Sequence, residues 1–421
     1  MRTEENIADA LTASPRLRAI AEVVAARDAD APGVFVVGGT VRDVLLGEEG
    51  GDDIDLAVEG DAIAFAYALA EALGGHATPH RKFGTAVVSG SDHQHVDVVT
   101  TRRESYDAPG ALPTVEHAEL AHDLHRRDFT INAMAASLVQ SDLGTLFDPH
   151  GGRADLGAGI VRVLHDASFV DDPTRILRGV TYEARYGFRF DEHTERLARD
   201  CLASGHVGDL SSSRLRDELV DLLEDARAAD GIRRLGELGV DTAIHPSLRG
   251  DDEAAELFAC AVALGDELGV RVPSWRLGIE ALARGMRPEE AVEWLDRLKV
   301  RRRDVEHIID AVTAAPRIVE RLGARSLDPA QLVAIADPFA PDAPLLALAY
   351  EDRPELRDYF TRLRDVRLEI DGSDLIAMGL EESPRIGQIL KQVRERKLNG
   401  ELAGREAELD AARAHVGTLS T

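Results

Sequence analysis

An α+β head followed by a long all-helical remainder is the fold this sequence predicts, and three observations carry it. Short, β-branched, alternating runs are confined to the first 150 or so residues. After about Ala154 such strand signals vanish. From Ser213 onward, apolar residues recur at helical spacing in one segment after another. With 421 residues, the chain is too long for one compact core, so two to four domains are expected.

The strand candidates are Gly33–Val37, Ile54–Val58, Thr85–Ser89 and His95–Val99, each rich in Val, Ile or Thr. Between them, Asp61–Leu73 reads as an amphipathic helix closed by Gly74-Gly75. The later helices are expected at Ser213–Leu223, Ala254–Leu268, Pro288–Leu298, Asp304–Ala314 and Gly387–Arg396. Loop-like breaks near 206–212, 247–252 and 336–344 are the candidate joints. No repeat of fixed period and no low-complexity tract occurs.

Composition narrows the class. Apolar residues make up 44 % and are spread along the whole length, as in a globular protein. No run approaches the roughly eighteen apolar residues of a membrane span. The polar start, MRTEENIADALTASPRL, does not resemble a secretory signal. Cys201 and Cys260 are too few for a disulfide framework or a cysteine zinc site, which points to a reducing, cytoplasmic setting. The formal charge is −27, from 76 acids against 49 bases. Such a chain is not a non-specific coat for nucleic acid, but one local strip of arginine could still hold RNA.

Chemistry concentrates in three blocks. In Val36–Asp43 (VVGGTVRD) a strand runs into Gly38-Gly39 and a helix begins near Thr40. Glycines at that corner remove the Cβ atoms that would block a phosphate, and the new helix offers free N–H groups to an anion. Arg42 follows one turn in; alone, the block is equally a plain strand-to-helix turn. Asp53 and Asp55 flank a single strand residue, so both carboxylates share a face and can hold Mg²⁺. Asp97, in another short strand, could add a third carboxylate.

The second block is Asp123–Ala133 (DLHRRDFTINA), where Arg127 can fork to phosphate oxygens and Asp128 can accept from a ribose hydroxyl. By itself it reads as a charged helix cap. The third is Asp171–Phe188 (DDPTRILRGVTYEARYGF), with Asp172 placed as N-cap and Pro173 at the first helical position. Asp172, Arg175 and Arg178 then recur along one side. A carboxylate accepts from the exocyclic amine that cytosine and adenine share, and a neighbouring guanidinium donates to their ring acceptors. Guanine and uracil would set a carbonyl against the carboxylate. In isolation, though, this block is a salt-bridged helix start.

Taken together, the order and wording of these blocks resemble the class II tRNA nucleotidyltransferases, the branch of the polymerase-β superfamily that includes bacterial poly(A) polymerases. The likeness is dense from about Val34 to Leu223. It takes in Phe83-Gly84-Thr85, Asp97–Tyr106, Asp148-Pro149 with Gly151-Gly152, and Ser213–Leu219 (SRLRDEL), and it returns weakly at Ile370–Leu409. The resemblance implies a polymerase-β-like head with a small sheet over residues 1–153, then an all-α neck (154–225), body (226–315) and tail (316–421). It implies that Gly38, Gly39 and Arg42 meet the triphosphate and that Asp53 and Asp55 bind Mg²⁺. Arg127, Asp128 and Asn132 would hold sugar and phosphates, Asp172 and Arg175 would read the base, and Arg178 would complete the nucleotide site.

The implied activity is addition of C, A or both to a tRNA 3′ end from CTP and ATP, without a template. A-only addition and poly(A) polymerase are the alternatives within the class; a non-catalytic RNA-binding scaffold is the alternative outside it. Two departures stand out: Asp171 where the family usually has Glu, and Thr181 where many members carry arginine. The second weakens the expected phosphate grip and hints at the A-only enzymes. The segment between Asp97 and Asp123, a mobile loop in the family, is full-length, which disfavours a CC-only enzyme. For the tRNA, the helical remainder offers Arg301, Arg302 and Arg303 and the cluster Lys391, Arg394, Arg396 and Lys397, either of which is equally a solvated helix face.

Overall fold

The computed structural model describes residues 6–28, 30–48, 53–90, 95–105, 114–205 and 212–417. The chain divides into two compact units, Met1–Glu218 with Leu238–Ala243, and Leu219–Glu237 with Ile244–Thr421.

In the first unit the strands β1 (Val34–Val37), β2 (Asp53–Val58), β3 (His76–His80), β4 (Thr85–Ser89), β5 (His95–Thr100), β8 (Ala135–Ser137) and β9 (Leu146–Phe147) make one mixed sheet. Its order is β3-β4-β5-β2-β1-β8-β9. Strand β1 reads VFVV, is buried along its whole length and sits inside the sheet, as a continuous β-branched run should. It is antiparallel to β2 and β8, whereas β2 and β5 run parallel with Asp55 opposite Asp97. A separate hairpin pairs β6 (Arg102–Ser105) with β7 (Thr114–His117). Residues 106–113 between them, with Tyr106 and much of the loop expected there, lie outside the described residues, as does most of the 206–212 break.

Helices flank this sheet. α1 (Ala8–Ala13) and α2 (Pro15–Ala25) precede it, and α3 (Gly39–Leu46) follows β1 directly. α4 (Ala62–Leu73) begins where expected, with the Asp61 side chain accepting from Ala64 N at 3.0 Å, and ends at left-handed Gly74. It buries Phe65, Ala66, Leu69 and Ala70 against β3, β4 and β5, and each large side chain is worth about 1.5–3 kcal/mol. Beyond the sheet come α5 (Leu120–His125), α6 (Gly152–Ala158), α7 (Ser168–Asp171), α8 (Thr174–Tyr186), α9 (Glu192–Ser204) and α10 (Ser212–Glu224).

Two expectations are corrected here. Strand structure does not end at Ala154: β10 (Ile160–Val161) and β11 (Arg189–Phe190) pair in parallel beside α8, too short to leave a sequence pattern. Helix α8 starts at Thr174 rather than Pro173, although the Asp172 side chain still caps it by accepting from Thr174 N at 3.1 Å. Phe129, Phe169 and Phe190 fill the space under α8, with ring centroids 6.2–6.4 Å apart. A Cβ on Gly179 would stand 2.4 Å from the Phe190 ring, so this helix carries glycine where the phenylalanine crosses it.

The described part of the second unit is helical. Its longest helix, Arg302–Ala324, runs well past the expected end at Ala314 and contains Pro316. It packs on Asp342–Tyr350, whose Leu345, Leu346, Ala347 and Leu348 are fully buried. A helix apolar on nearly every side has to be a core helix. Arg276 stitches this core together, donating to Asp304 at 3.1 Å and to Asp342 at 3.0 Å. Glu280 is also fully buried there. Pro384–Leu398 and Gly404–Gly417 pack around Ile370, Leu375, Ile389 and Val393. Among the described residues no single helix is long and apolar enough to cross a membrane.

Candidate active site

One cavity of about 430 Å³ in the first unit gathers residues from all three sequence blocks. Its walls include Gly38, Gly39 and Arg42 from the β1–α3 corner, Asp55 from β2, and Arg126, Arg127, Asp128 and Asn132 from the turn after α5. Asp172, Arg175, Arg178, Tyr182 and Arg185 close it from α8 and the residues before it.

The glycine corner is needed for more than backbone freedom. Gly38 adopts φ 67° and ψ −133°, a combination that L residues with a side chain avoid. A Cβ there would also lie 2.5 Å from Arg127 Nη1 and 3.5 Å from Asp55 Oδ2. The absent side chain is what lets the arginine and the β2 carboxylate approach the start of α3.

Each cavity arginine is held from behind. Arg42 is buried, pairs with Asp43 at 2.8 Å, donates to Asn132 Oδ1 at 2.7 Å, and lies over the rings of Tyr182 and Tyr186 at 5.2 and 5.0 Å. Arg126 and Arg127 both pair with Asp123, at 2.9 and 3.0 Å. Asp123 is fully buried; burial alone would raise its carboxyl, but Arg127 and Arg126 hold it below the ordinary carboxylate range. Asp123 therefore fixes two guanidiniums at once. Arg178 pairs with Asp128 at 2.8 Å. Burial likewise works against Asp128, and Arg178 with the Asn132 amide outweighs it and keeps it ionised. Both Asp128 oxygens are engaged inside the protein, so its first task is to seat Arg178.

The expected base readers are also preset. Arg175 is buried and donates to Ser168 Oγ at 2.7 Å and to the Arg126 carbonyl at 2.8 Å. Asp172 accepts from Thr174 on one oxygen and from Arg214 on the other.

The carboxylates of β2 and β5 form an acidic face. The parallel register sets Asp97 beside Asp55, and strand alternation puts Asp53 on the same side. Burial raises the Asp55 carboxyl above its ordinary range, and Asp97 and Asp53 add to this against the pull of Arg127. Burial, then Asp53, raises Asp97 as well. Crowded, partly buried carboxylates of this kind are relieved by a divalent cation, and hard oxygen donors suit one. Among the described residues no three acidic, imidazole or thiolate groups converge as a ready-made cage.

Comparison with known proteins gives this geometry its context. Residues 34–162 match the family model described as the poly(A) polymerase head domain. A CC-adding tRNA nucleotidyltransferase of Deinococcus radiodurans is 31 % identical over 391 residues, covering 91 % of this chain and 89 % of that protein. The chain belongs to the class II tRNA nucleotidyltransferase and poly(A) polymerase family. An A-adding tRNA nucleotidyltransferase of Geobacter sulfurreducens is 38 % identical over 399 residues, which cover 90 % of this chain but 44 % of that protein. The chain thus spans less than half the length of that relative. The Thermotoga maritima CCA-adding enzyme complexed with tRNA is a structural match with a TM-score of 0.81 at 30 % identity, over 98 % of this chain and 99 % of that one.

Against other members of the family, the departure at Thr181 has a clear structural setting. Thr181 is buried, donates to the Leu177 carbonyl of its own helix and is not among the residues that line the cavity. One turn on, Arg185 lines the cavity instead. Sequence reasoning gave no role to Arg185, Tyr182, Tyr186 or Arg214. The first three follow Arg178 at helical spacing, a signal that was available; Arg214 lay inside the SRLRDEL block without any local cue to its partner. The tRNA candidates all lie in the second unit. Arg301, Arg302 and Arg303 are exposed, with Arg302 beside Glu306 at 3.2 Å. Lys391 is exposed, while Arg394, Arg396 and Lys397 pair with Asp337, Glu401 and Glu408.

Proposed function

We propose that this protein is a tRNA nucleotidyltransferase that adds C, A or both to the tRNA 3′ end from CTP and ATP and releases pyrophosphate. The observation that carries this reading is the single cavity that unites the glycine corner, Asp55, a set of arginines and the Asp172–Arg175 pair. Arg42, Arg127 and Arg178 would grip the triphosphate, with α3 presenting its free N–H groups to the same charge. Asp172 would accept from the exocyclic amine of C or A while Arg175 donates to the adjacent acceptor. Mg²⁺ held by Asp53 and Asp55 would activate the attacking hydroxyl and stabilise the leaving pyrophosphate. With the head over 1–153 and the neck over 154–225 forming this site, the helices of 226–421 would carry the tRNA, with Arg301, Arg302, Arg303 and Lys391 as exposed cations there. Arg394, Arg396 and Lys397 would have to leave internal partners first. A cytoplasmic location suits the reaction.

A-only addition is the second reading. The A-adding relative is more similar to this chain than the CC-adding one, at 38 % against 31 % identity, and Thr181 departs from the common arginine. Incubating the protein with tRNA ending at the discriminator base, at C and at CC, with each nucleotide supplied singly, tests both. Growth only of the CC-ended tRNA with ATP selects A-only addition. No pyrophosphate release from any combination refutes the reaction.

A further inference from the structure

Outside the lining of the cavity, three imidazoles from separate segments cluster face to face or tilted. His125, at the end of α5, has its ring centroid 5.3 Å from that of His150 at an interplanar angle of 28°. The same ring lies 5.6 Å from the His165 ring at an interplanar angle of 40°. His150 comes from the turn before α6 and His165 from the loop before α7. No core calls for this arrangement: His125 is exposed and the other two are only half-buried. The group is not a metal cage either, since no three such side chains converge on a point among the described residues. Burial, then the neighbouring His125, lowers His150 from the ordinary imidazole range, and burial, then Arg175, does the same for His165. At neutral pH these two rings present uncharged faces rather than a cationic patch.

The stack is joined to the cavity wall. Arg126, the next residue after His125, lines the cavity, and Arg175 ties to its carbonyl at 2.8 Å. Arg175 also holds Ser168, whose backbone N–H donates to the His165 carbonyl at 3.1 Å. Aromatic faces beside guanidiniums, at the margin of a nucleotide site, are what a single-stranded RNA end requires: rings for its bases and cations for its phosphates.

We propose that the His125–His150–His165 stack is a platform on which an unpaired base of the RNA strand stacks as its 3′ end enters the cavity. The inference rests on the nucleotidyltransferase reading and adds the place where the accepting strand, rather than the incoming nucleotide, is held. Stacking tolerates any base, which suits a site that must accept many RNAs.

The test compares His125→Ala and His125→Phe with the parent, measuring equilibrium binding of CC-ended tRNA by filter retention and the KM for ATP. Base–aromatic stacking of about 1–3 kcal/mol predicts that His125→Ala weakens tRNA binding at least roughly fivefold, with the KM for ATP within about twofold and His125→Phe near the parent. Parent-like tRNA binding by His125→Ala overturns the platform. So does a phenylalanine variant no better than alanine, or a KM for ATP that rises as much as the tRNA Kd. A parent that binds tRNA yet releases no pyrophosphate refutes the proposed reaction alone; a parent that binds no tRNA refutes both.

Discussion

Asp172 and Arg214 bring the start of α8 and the start of α10 together: guanidinium Nη2 stands 2.5 Å from carboxylate Oδ2. The other oxygen of Asp172 accepts the Thr174 hydroxyl at 2.7 Å and the Thr174 backbone N–H at 3.1 Å. Pinned from two sides, this carboxylate is held in one orientation, as the proposed discrimination between an exocyclic amine and a carbonyl requires.

Arg214→Ala is therefore expected to blur base choice while sparing the triphosphate grip. Loss of a charged hydrogen bond, about 1.5–3 kcal/mol, converts to roughly ten- to a hundredfold less discrimination against UTP and GTP. Comparing kcat/KM across the four nucleoside triphosphates checks this. Discrimination equal to the parent's removes Arg214 from the specificity apparatus.

The acidic face makes a prediction about metal. Mg²⁺ should raise the melting temperature of the parent in proportion to its occupancy of Asp53 and Asp55. Asp55→Asn should abolish nucleotide addition and erase that gain together. A variant that Mg²⁺ still stabilises as it does the parent would place the cation elsewhere.

Gly38→Ala should fail at two levels. The backbone there is strained for any residue with a side chain, at a cost of about 1–3 kcal/mol, and the new methyl displaces Arg127. A denaturant melt should show the first, and a roughly tenfold or greater loss of ATP affinity the second. If ATP binds the variant with parent affinity, the Gly38–Arg127 approach has no part in nucleotide binding.

In the second unit, Glu280 predicts a pH dependence. It is fully buried, and burial with the Asp342 charge beside it raises its carboxyl well above the ordinary range. A folded-state pKa above the unfolded one gives stability that is whole below the unfolded value and is lost as pH rises toward the folded one. Glu280→Gln removes the titration and keeps the shape. The variant should melt above the parent at about pH 7.5, with the difference closing toward about pH 4.5. Equal melting temperatures at both would show that Glu280 is not held protonated.

How much of this was legible in sequence follows from the range of the interactions. Helix α4, with its cap and its closing glycine, was read almost to the residue because its signals are local. That Asp53 and Asp55 share one face of β2 was read because strand alternation is local too. β8 (AAS) and β9 (LF) left no signal, since they are strands only by virtue of their neighbours in the sheet. The partners that set the cavity were similarly hidden. Nothing near Asp123 states that it will hold Arg126 and Arg127 in a buried pocket, and nothing near Arg214 names Asp172, forty-two residues away. Arg394, Arg396 and Lys397 looked free because their carboxylate partners come from other turns and helices.

The internal pairing of Arg42 with Asp43, of Arg126 and Arg127 with Asp123, and of Arg178 with Asp128 reaches beyond the site itself. These four cavity cations have a carboxylate within about 3 Å, Arg126 and Arg127 sharing one, so much of the charge balance there is set locally. A chain with a formal charge of −27 can then keep a working anion pocket, and its outer coat is left free to drift. Lineages moving between fresh water and brine could recolour the surface without retuning the chemistry. A protein engineer has the same liberty.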